Sequence, residues 1–399
     1  MSTSKVHDLV AASPPKPLAG SSIQEWTLSR TMTFLNHGSF GARPRVVTEA
    51  QRSIKQQLDE DPADILWVRG GPLLKAATAD LARFLNVEAS DLVHVINATQ
   101  AINAVFRSLD LQPGQTIVAT NHGYNAVTQT LRYVTERAGA RLHLIDLAPP
   151  LPDEQGLLDQ IEAALDDTTA LVLIDHVTSP TAMLFPVEEI VQCCHDRGVR
   201  VFVDGAHAPG MLPLDVTAVG ADYYTGNLHK WVSAPLGAAF LHVKPEYQLE
   251  VHPTVVSHYL GEGFQEEFCW TGTCDTSAFL SAPAAIAWFE SQFGWAAVRQ
   301  HNADLVAWAT GQLCEAWSVS PLEVPQSSRA TSIRTIELPV SLRSSFQTVE
   351  DWRDWLRATH AIDVAVQDWA DQWWIRLSAH IYNRPEDYER LIEVGLSFN

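Results

Sequence analysis

From about residue 45 the chain repeats one pattern, an amphipathic helical stretch followed by a short apolar run, and few architectures accept it. Helical "PRVVTEAQRSIKQQLDED" and "LLKAATADLARFLN" lead to "LVHVI". Helical "ATQAINAVFRSL", "NAVTQTLRYVTERAG", "LLDQIEAALDD" and "VEEIVQCCHDRG" then alternate with the runs "QTIVAT", "RLHLIDL", "ALVLID" and "VRVFVD". Short strands bounded by turn signals and separated by helices form βαβ units, so the spacing predicts an α/β protein with a mainly parallel sheet sandwiched by helices. From about residue 276 the pattern changes to long helices, "SAFLSAPAAIAWFESQFG" and "VRQHNADLVAWATGQLCEAW", and then to a mixed tail with strand-like "TSIRTIEL" and "WWIRLSA". We therefore expect an arm rich in Ser, Pro and Ala over 1–25, a large domain over 26–280 and a smaller α+β domain over 281–399.

In an open parallel sheet, ligands sit beyond the carboxyl ends of the strands. Five successive strand ends here carry polar residues: Asn97 to Thr99, then Asn121, His122 and Tyr124, then Asp175, His176, Thr178 and Ser179. Asp204 and His207 follow, in "VDGAHAPG", and then Asn227, His229 and Lys230, in "DYYTGNLHKW". One shared site explains five such ends better than five accidents. Lys230 stands among Leu228, Trp231 and Val232. Desolvation disfavours an ammonium ion, lowers the pKa and leaves a nucleophilic amine. Neither GxGxxG nor GxxxxGK[ST] follows a strand. "NATQA" (97–101) opens a helix whose free N–H groups suit an anion, although plain capping by Asn97 explains the same residues.

Charge excludes several partners. The 399 residues carry 27 basic against 47 acidic side chains, a net −20, with no basic cluster. Phosphate backbones and anionic membranes need the opposite, so neither nucleic acid nor membrane is expected. No apolar run has signal-peptide or membrane-span length, and the five cysteines follow no metal or secretory spacing. A reduced, cytoplasmic protein is the expectation.

"VDGAHAPG" followed by "DYYTGNLHKW" resembles the cofactor segment of the class V aminotransferase family, and more closely its isopenicillin N epimerase-like branch. "FLNHGSFGARP" (34–44), "NATQA", "DHVTSPTAMLFPVEEI" (175–190), "WTGTCD" (270–275) and "IRLSAHIYN" (375–383) match that branch in type and order. The resemblance implies the type I fold of pyridoxal 5'-phosphate enzymes, with Lys230 as the Schiff-base lysine and base at Cα. It implies Asp204 against the pyridine nitrogen and His207 beside the phenolic oxygen or Asp204, with His122 or Tyr124 stacked on the ring. The phosphate falls to Ala98, Thr99, Asn227 and His229, and to Thr273 of a neighbouring subunit, which makes a homodimer with shared sites. Asn36 and His37 would line the substrate side, and Arg376 would clamp the α-carboxylate of a small amino acid, a bidentate task suited to guanidinium.

One departure matters. Desulfurases of this class carry a mobile cysteine shortly before the C-terminal arginine, whereas "THAIDVAVQDWADQWWIRLSA" has none. The expected activity is Cα deprotonation of an L-amino acid, completed by epimerisation, β-elimination with C–S lysis, or carbon–carbon bond formation as in cyclases. Transamination is an alternative. Two other classes compete: a metallohydrolase using Asp175, His176, Asp204, His207 and His122, and a binding protein that kept only the fold. The first lacks a ligand-spacing motif and no metal is expected; the second has no use for an electron sink.

Overall fold

The computed structural model describes residues 13–398. Its strands are Thr33–Phe34 (β1), Leu92–Val95 (β2), Thr116–Thr120 (β3), Arg141–Ile145 (β4), Thr169–Asp175 (β5), Arg200–Asp204 (β6), Tyr223–Asn227 (β7), Ala239–Val243 (β8), Ile333–Glu337 (β9), Ile362–Asp363 (β10), Ala365–Trp369 (β11) and Gln372–Ser378 (β12). Seven of these form the central sheet in the order β2-β8-β7-β6-β5-β3-β4. The pairs from β4 to β7 are parallel, while β8 runs antiparallel to both β7 and β2. The helices Asn125–Ala138, Glu154–Ala164 and Val187–Asp196 make the crossovers that parallel neighbours require.

Successive residues of one strand serve opposite faces, and the two cores of this domain divide the strands accordingly. Val172, Ile174, Val201 and Val203 join one core with Ile190 and Phe289. Leu171, Leu173 and Phe202 join the other with Ile102 and Val105. Strands buried on both faces must be apolar throughout, which is why "ALVLID" and "VRVFVD" read as continuous runs.

A third core lies under the small antiparallel sheet β11-β12-β9 and holds Trp352, Leu356, Ile336, Ile375 and Leu377. The helix Trp295–Trp317 spans two cores: Trp295 and Val298 lie in the first, Leu305 to Trp317 in the third. The third core also takes Leu35. The preceding β1 pairs in parallel with β10, Thr33 opposite Ile362, so the start of the described chain is stitched to its end. Of the expected arm, residues 1–12 lie outside the described residues. Leu18 and Ile23 pack against the first core, and Arg384 donates to the Ser21 carbonyl. Among the described residues no helix is long and apolar enough to cross a membrane.

Candidate active site

A cavity of about 600 Å³ opens beyond the carboxyl ends of β5, β6 and β7, against the small sheet. Its wall brings together Lys230, Asp204, His207, Asn227 and His229 with Ala98 and Thr99. Asn36, Tyr124 and Arg376 join them. The parallel register sets Asp175 directly beside Asp204, and Asp175 also faces the cavity.

The Lys230 Nζ lies 3.0 Å from His207 Nε2. Its amine is buried and its pKa is lowered to about 7, first by desolvation and then by the Arg376 cation, against the opposing pull of Asp204 and Asp175. Asp204 is buried and accepts the Ala206 N–H at 2.9 Å. Burial raises its carboxyl above the usual range, opposed by that hydrogen bond and by Lys230. Asp175 is raised well above that range by burial and by the negative charge of Asp204. Two carboxylates and one amine in a desolvated pocket form a set of coupled proton sites.

Glycine makes the close approaches possible. A Cβ on Gly41 would overlap the carbonyl oxygens of His229 and Lys230, so only glycine lets the 36–41 loop lie on the lysine backbone. Gly41 N–H in turn donates to the His229 carbonyl at 3.1 Å. A Cβ on Gly205 would strike the Tyr224 ring.

The helix Ala98–Ser108 points its N-terminus at the same cavity. Asn97 does cap it, accepting from Gln100 N–H at 2.8 Å, and Asn97, Ala98 and Thr99 also line the cavity. Asn227 ties β7 to this helix, its Oδ1 accepting the Ala98 N–H at 2.9 Å. Arg376 is buried on β12. Its Nη1 donates to the Ser179 carbonyl at 2.5 Å and to the Ser179 hydroxyl at 3.1 Å, and its Nη2 to the Ser39 hydroxyl at 2.9 Å. Its Nε is buried without a partner among the described residues, as is Asn36 Oδ1.

Two expected site residues do not reach the cavity. His37 is fully buried behind the lysine: Nε2 lies 3.0 Å from the Lys230 carbonyl, Nδ1 lies 3.1 Å from the Tyr382 hydroxyl, and the ring stacks on His380. Burial lowers its pKa to about 3, so it is a neutral bracket for the lysine backbone rather than a substrate contact. His122 is also fully buried, with Nδ1 2.7 Å from Thr181 Oγ1 and Nε2 2.8 Å from the Leu147 carbonyl. Tyr124, two residues on, is the one that faces the cavity. Thr273 is exposed and lies outside the cavity lining of its own chain.

Sequence reasoning gave no role to Ser39, Ser179 or Arg353, all of which face the cavity. Ser179 stood in the quoted strand-end motif and Ser39 in "LNHGSFG"; Arg353 carried no signal, because nothing local links its helix to the sheet. Two of the three histidines of the metal reading are engaged elsewhere: His176 Nδ1 lies 2.8 Å from the Tyr224 hydroxyl, and His122 has the partners given above. Among the described residues no group of three or more His, Cys, Asp or Glu is placed to hold a metal ion.

A buried carboxylate, a desolvated amine, a helix N-terminus and a guanidinium with an unpartnered Nε fit the pyridine nitrogen, the aldehyde and the phosphate of pyridoxal phosphate, and the carboxylate of an amino acid. Residues 71–391 match the family Aminotransferase class-V. Putative L-cysteine desulfhydrase 1 of Oryza sativa subsp. japonica is 31% identical, over 90% of this chain and 81% of its own. The isopenicillin N epimerase of Streptomyces clavuligerus is 30% identical, over 92% of this chain and 94% of its own. Among solved structures, a C-DES mutant with glycine covalently linked to its PLP cofactor is similar at a TM-score of 0.79 and 22% identity, covering 95% of this chain and 100% of that one.

Proposed function

The chain belongs to the class-V aminotransferase family, and from that membership we propose that it is a pyridoxal-phosphate enzyme that removes the Cα proton of an L-amino acid and completes the reaction by C–S lysis or epimerisation. The observation that carries this reading is the placement of the Lys230 amine, beside His207 and within the fields of Asp204 and Arg376, in one cavity. When bound, the cofactor supplies an aldehyde for covalent attachment and a ring that takes up negative charge from Cα.

The chain's own groups do the rest. Lys230, neutral above about pH 7, provides the amine that anchors the cofactor and then takes the Cα proton. Asp204 holds a proton on the pyridine nitrogen, and a cationic partner there offsets the burial of its carboxylate. The Ala98–Ser108 N-terminus receives the phosphate with Thr99 and His229. Arg376, held by Ser39 and Ser179, orients the substrate carboxylate. No cysteine lines the cavity, and Cys314 is buried in a helix with its thiol pushed up to about 12 by desolvation. That supports C–S lysis or epimerisation over a persulfide route.

Exchange in D₂O tests the reading. A panel of L-amino acids incubated with the enzyme should include one whose Cα proton exchanges, read by NMR and chiral analysis. Label in both enantiomers identifies an epimerase; pyruvate and ammonia from a cysteine derivative identify a lyase; a ketoacid with equimolar pyridoxamine form identifies transamination. Arg376→Ala should slow exchange about a hundredfold and Arg376→Lys far less, since lysine keeps a charge in the pocket. Absence of exchange with every amino acid, while the cofactor stays covalently bound, sinks the proposal.

The proposal includes a homodimer in which Thr273 serves the partner's phosphate. Its exposure supports this, as do the exposed Phe40, Ile96 and Leu236 that border the cavity. Mixing a Lys230→Ala chain with a Thr273→Asp chain should then restore activity, because one site of each mixed dimer regains both residues. An active monomer, or mixtures with no gain, contradicts it.

A further inference from the structure

Trp231 follows the lysine in "HKW", is buried, and aims its indole N–H at the far side of His207. Trp231 Nε1 donates to His207 Nδ1 at 3.3 Å, and His207 Nε2 lies 3.0 Å from Lys230 Nζ. We propose that Trp231 is a positioning residue that fixes the tautomer of His207, so that His207 donates its Nε2 proton to Lys230 and keeps that amine neutral and ready to bond a carbonyl carbon.

The inference follows from what each group can do. An indole N–H donates and never accepts. His207 Nδ1 must therefore be the accepting nitrogen. A neutral imidazole has one acceptor and one donor, so the proton sits on Nε2. A charged His207 would turn a second N–H against the indole; burial, with Lys230 and Arg376 nearby, holds its pKa well below the ordinary value. An Nε2–H pointing at Nζ needs a lone pair there. The free amine has one and the ammonium ion has none. With the opposite tautomer, Nε2 would accept from the ammonium ion and stabilise it. Trp231 thus decides the sign of the His207 contribution.

The other groups around Nζ pull both ways. Asp204 on β6 and Asp175 on β5 favour the ammonium form, whereas Arg376 on β12 disfavours it. His229, in the same turn as the lysine, is held neutral, its pKa lowered to about 4 by burial and by Lys230. The lysine is lowered to about 7 despite two carboxylates. Desolvation and Arg376 are what lower it, and a His207 proton aimed at Nζ acts in the same direction. The roles proposed for Lys230 do not themselves require an adjacent tryptophan; a phenylalanine keeps an apolar ring there, smaller and without the N–H.

This inference rests on the reading of Lys230 as the cofactor-bearing amine, and two measurements separate the two. Long-range ¹H–¹⁵N correlation spectra of the full-length protein freed of cofactor, with His207→Gln used to assign the resonance, report the tautomer directly. We expect an unprotonated Nδ1 and a protonated Nε2; a proton on Nδ1 overturns the inference. The second measurement follows the rate at which the same protein takes up pyridoxal phosphate against pH. The neutral amine adds to the aldehyde carbon, a C=N bond forms and water leaves; borohydride then fixes the label for peptide mapping. Trp231→Phe should slow uptake about fivefold at pH 7, shift the midpoint to higher pH and leave the rate at pH 10 unchanged. An unchanged midpoint in a folded variant overturns the inference, and the nitrogen spectrum of the unsubstituted chain decides it if that variant does not fold. Label that never reaches Lys230 at any pH overturns the underlying reading instead, and the tautomer is then judged from the nitrogen spectrum.

Discussion

Lys230→Ala is expected to leave a folded protein without a covalent imine, whose turnover has fallen at least a thousandfold, within the range over which loss of a proton-transferring group acts. The size of the effect comes from the two tasks proposed for the amine, anchoring and proton removal, which no neighbour can assume. His207 is neutral with its pKa well below the ordinary value, and Asp204 and Asp175 are raised by burial. The substitution also removes the lysine whose charged form lowers both carboxyls, so both should bind protons more tightly still. Absorbance, borohydride trapping and peptide mapping check the anchoring, and single-turnover kinetics check the chemistry. Undiminished activity in this variant would end the assignment.

Asp204→Asn should separate binding from chemistry. The amide has the shape of the carboxylate and can still accept from Ala206 N–H. Cofactor should bind within about tenfold of the original affinity, since the phosphate end is untouched. The amide cannot hold a proton on the pyridine nitrogen, so the ring loses its capacity to take up negative charge. We expect Cα exchange to fall by about 10²–10⁴-fold. Asp175 should relax toward ordinary carboxylate behaviour, because the neighbouring negative charge is gone. Equal losses of binding and exchange would show Asp204 to be a structural residue and not the partner of the ring.

The sheet was legible because its strands are buried on both faces. "ALVLID" and "VRVFVD" read as strands, and their register brings Asp175 and Asp204 side by side as the parallel order demands. The strand just inside the β2 edge was not legible. β8 returns antiparallel through "AAFLHV", and the alternation gave no sign of a strand that runs backwards. Residues that end or closely follow a strand, such as Asp204 and Lys230, were expected at one place and do line one cavity; direction within a turn was not legible. His122 and Tyr124 sit two residues apart, yet His122 turns inward to Thr181 and Leu147 while Tyr124 faces the cavity. His37 and Ser39 show the same limit: in one tight loop, the histidine braces the Lys230 carbonyl and the serine holds Arg376. The family motifs identified the loop and could not say which side chain faces inward.

The stitching of β1 to β10, together with the Ser39–Arg376 hydrogen bond across 337 residues, sets an order of events on the ribosome. The cofactor sheet is complete once residue 243 has emerged, long before the strand that carries Arg376. At roughly 5–20 residues per second, about 17–70 s separate the synthesis of Ser39 from that of Arg376. Until residues from 305 onward emerge Leu35 lacks the core it joins, and until Arg376 emerges the 36–41 loop lacks the arginine it will hold. A nascent chain can therefore carry the lysine and the helix N-terminus well before it carries Arg376, the residue proposed to hold a substrate carboxylate. Ligand-ready and catalysis-ready are separate dates in the life of the chain, and the later one is set by its last strand.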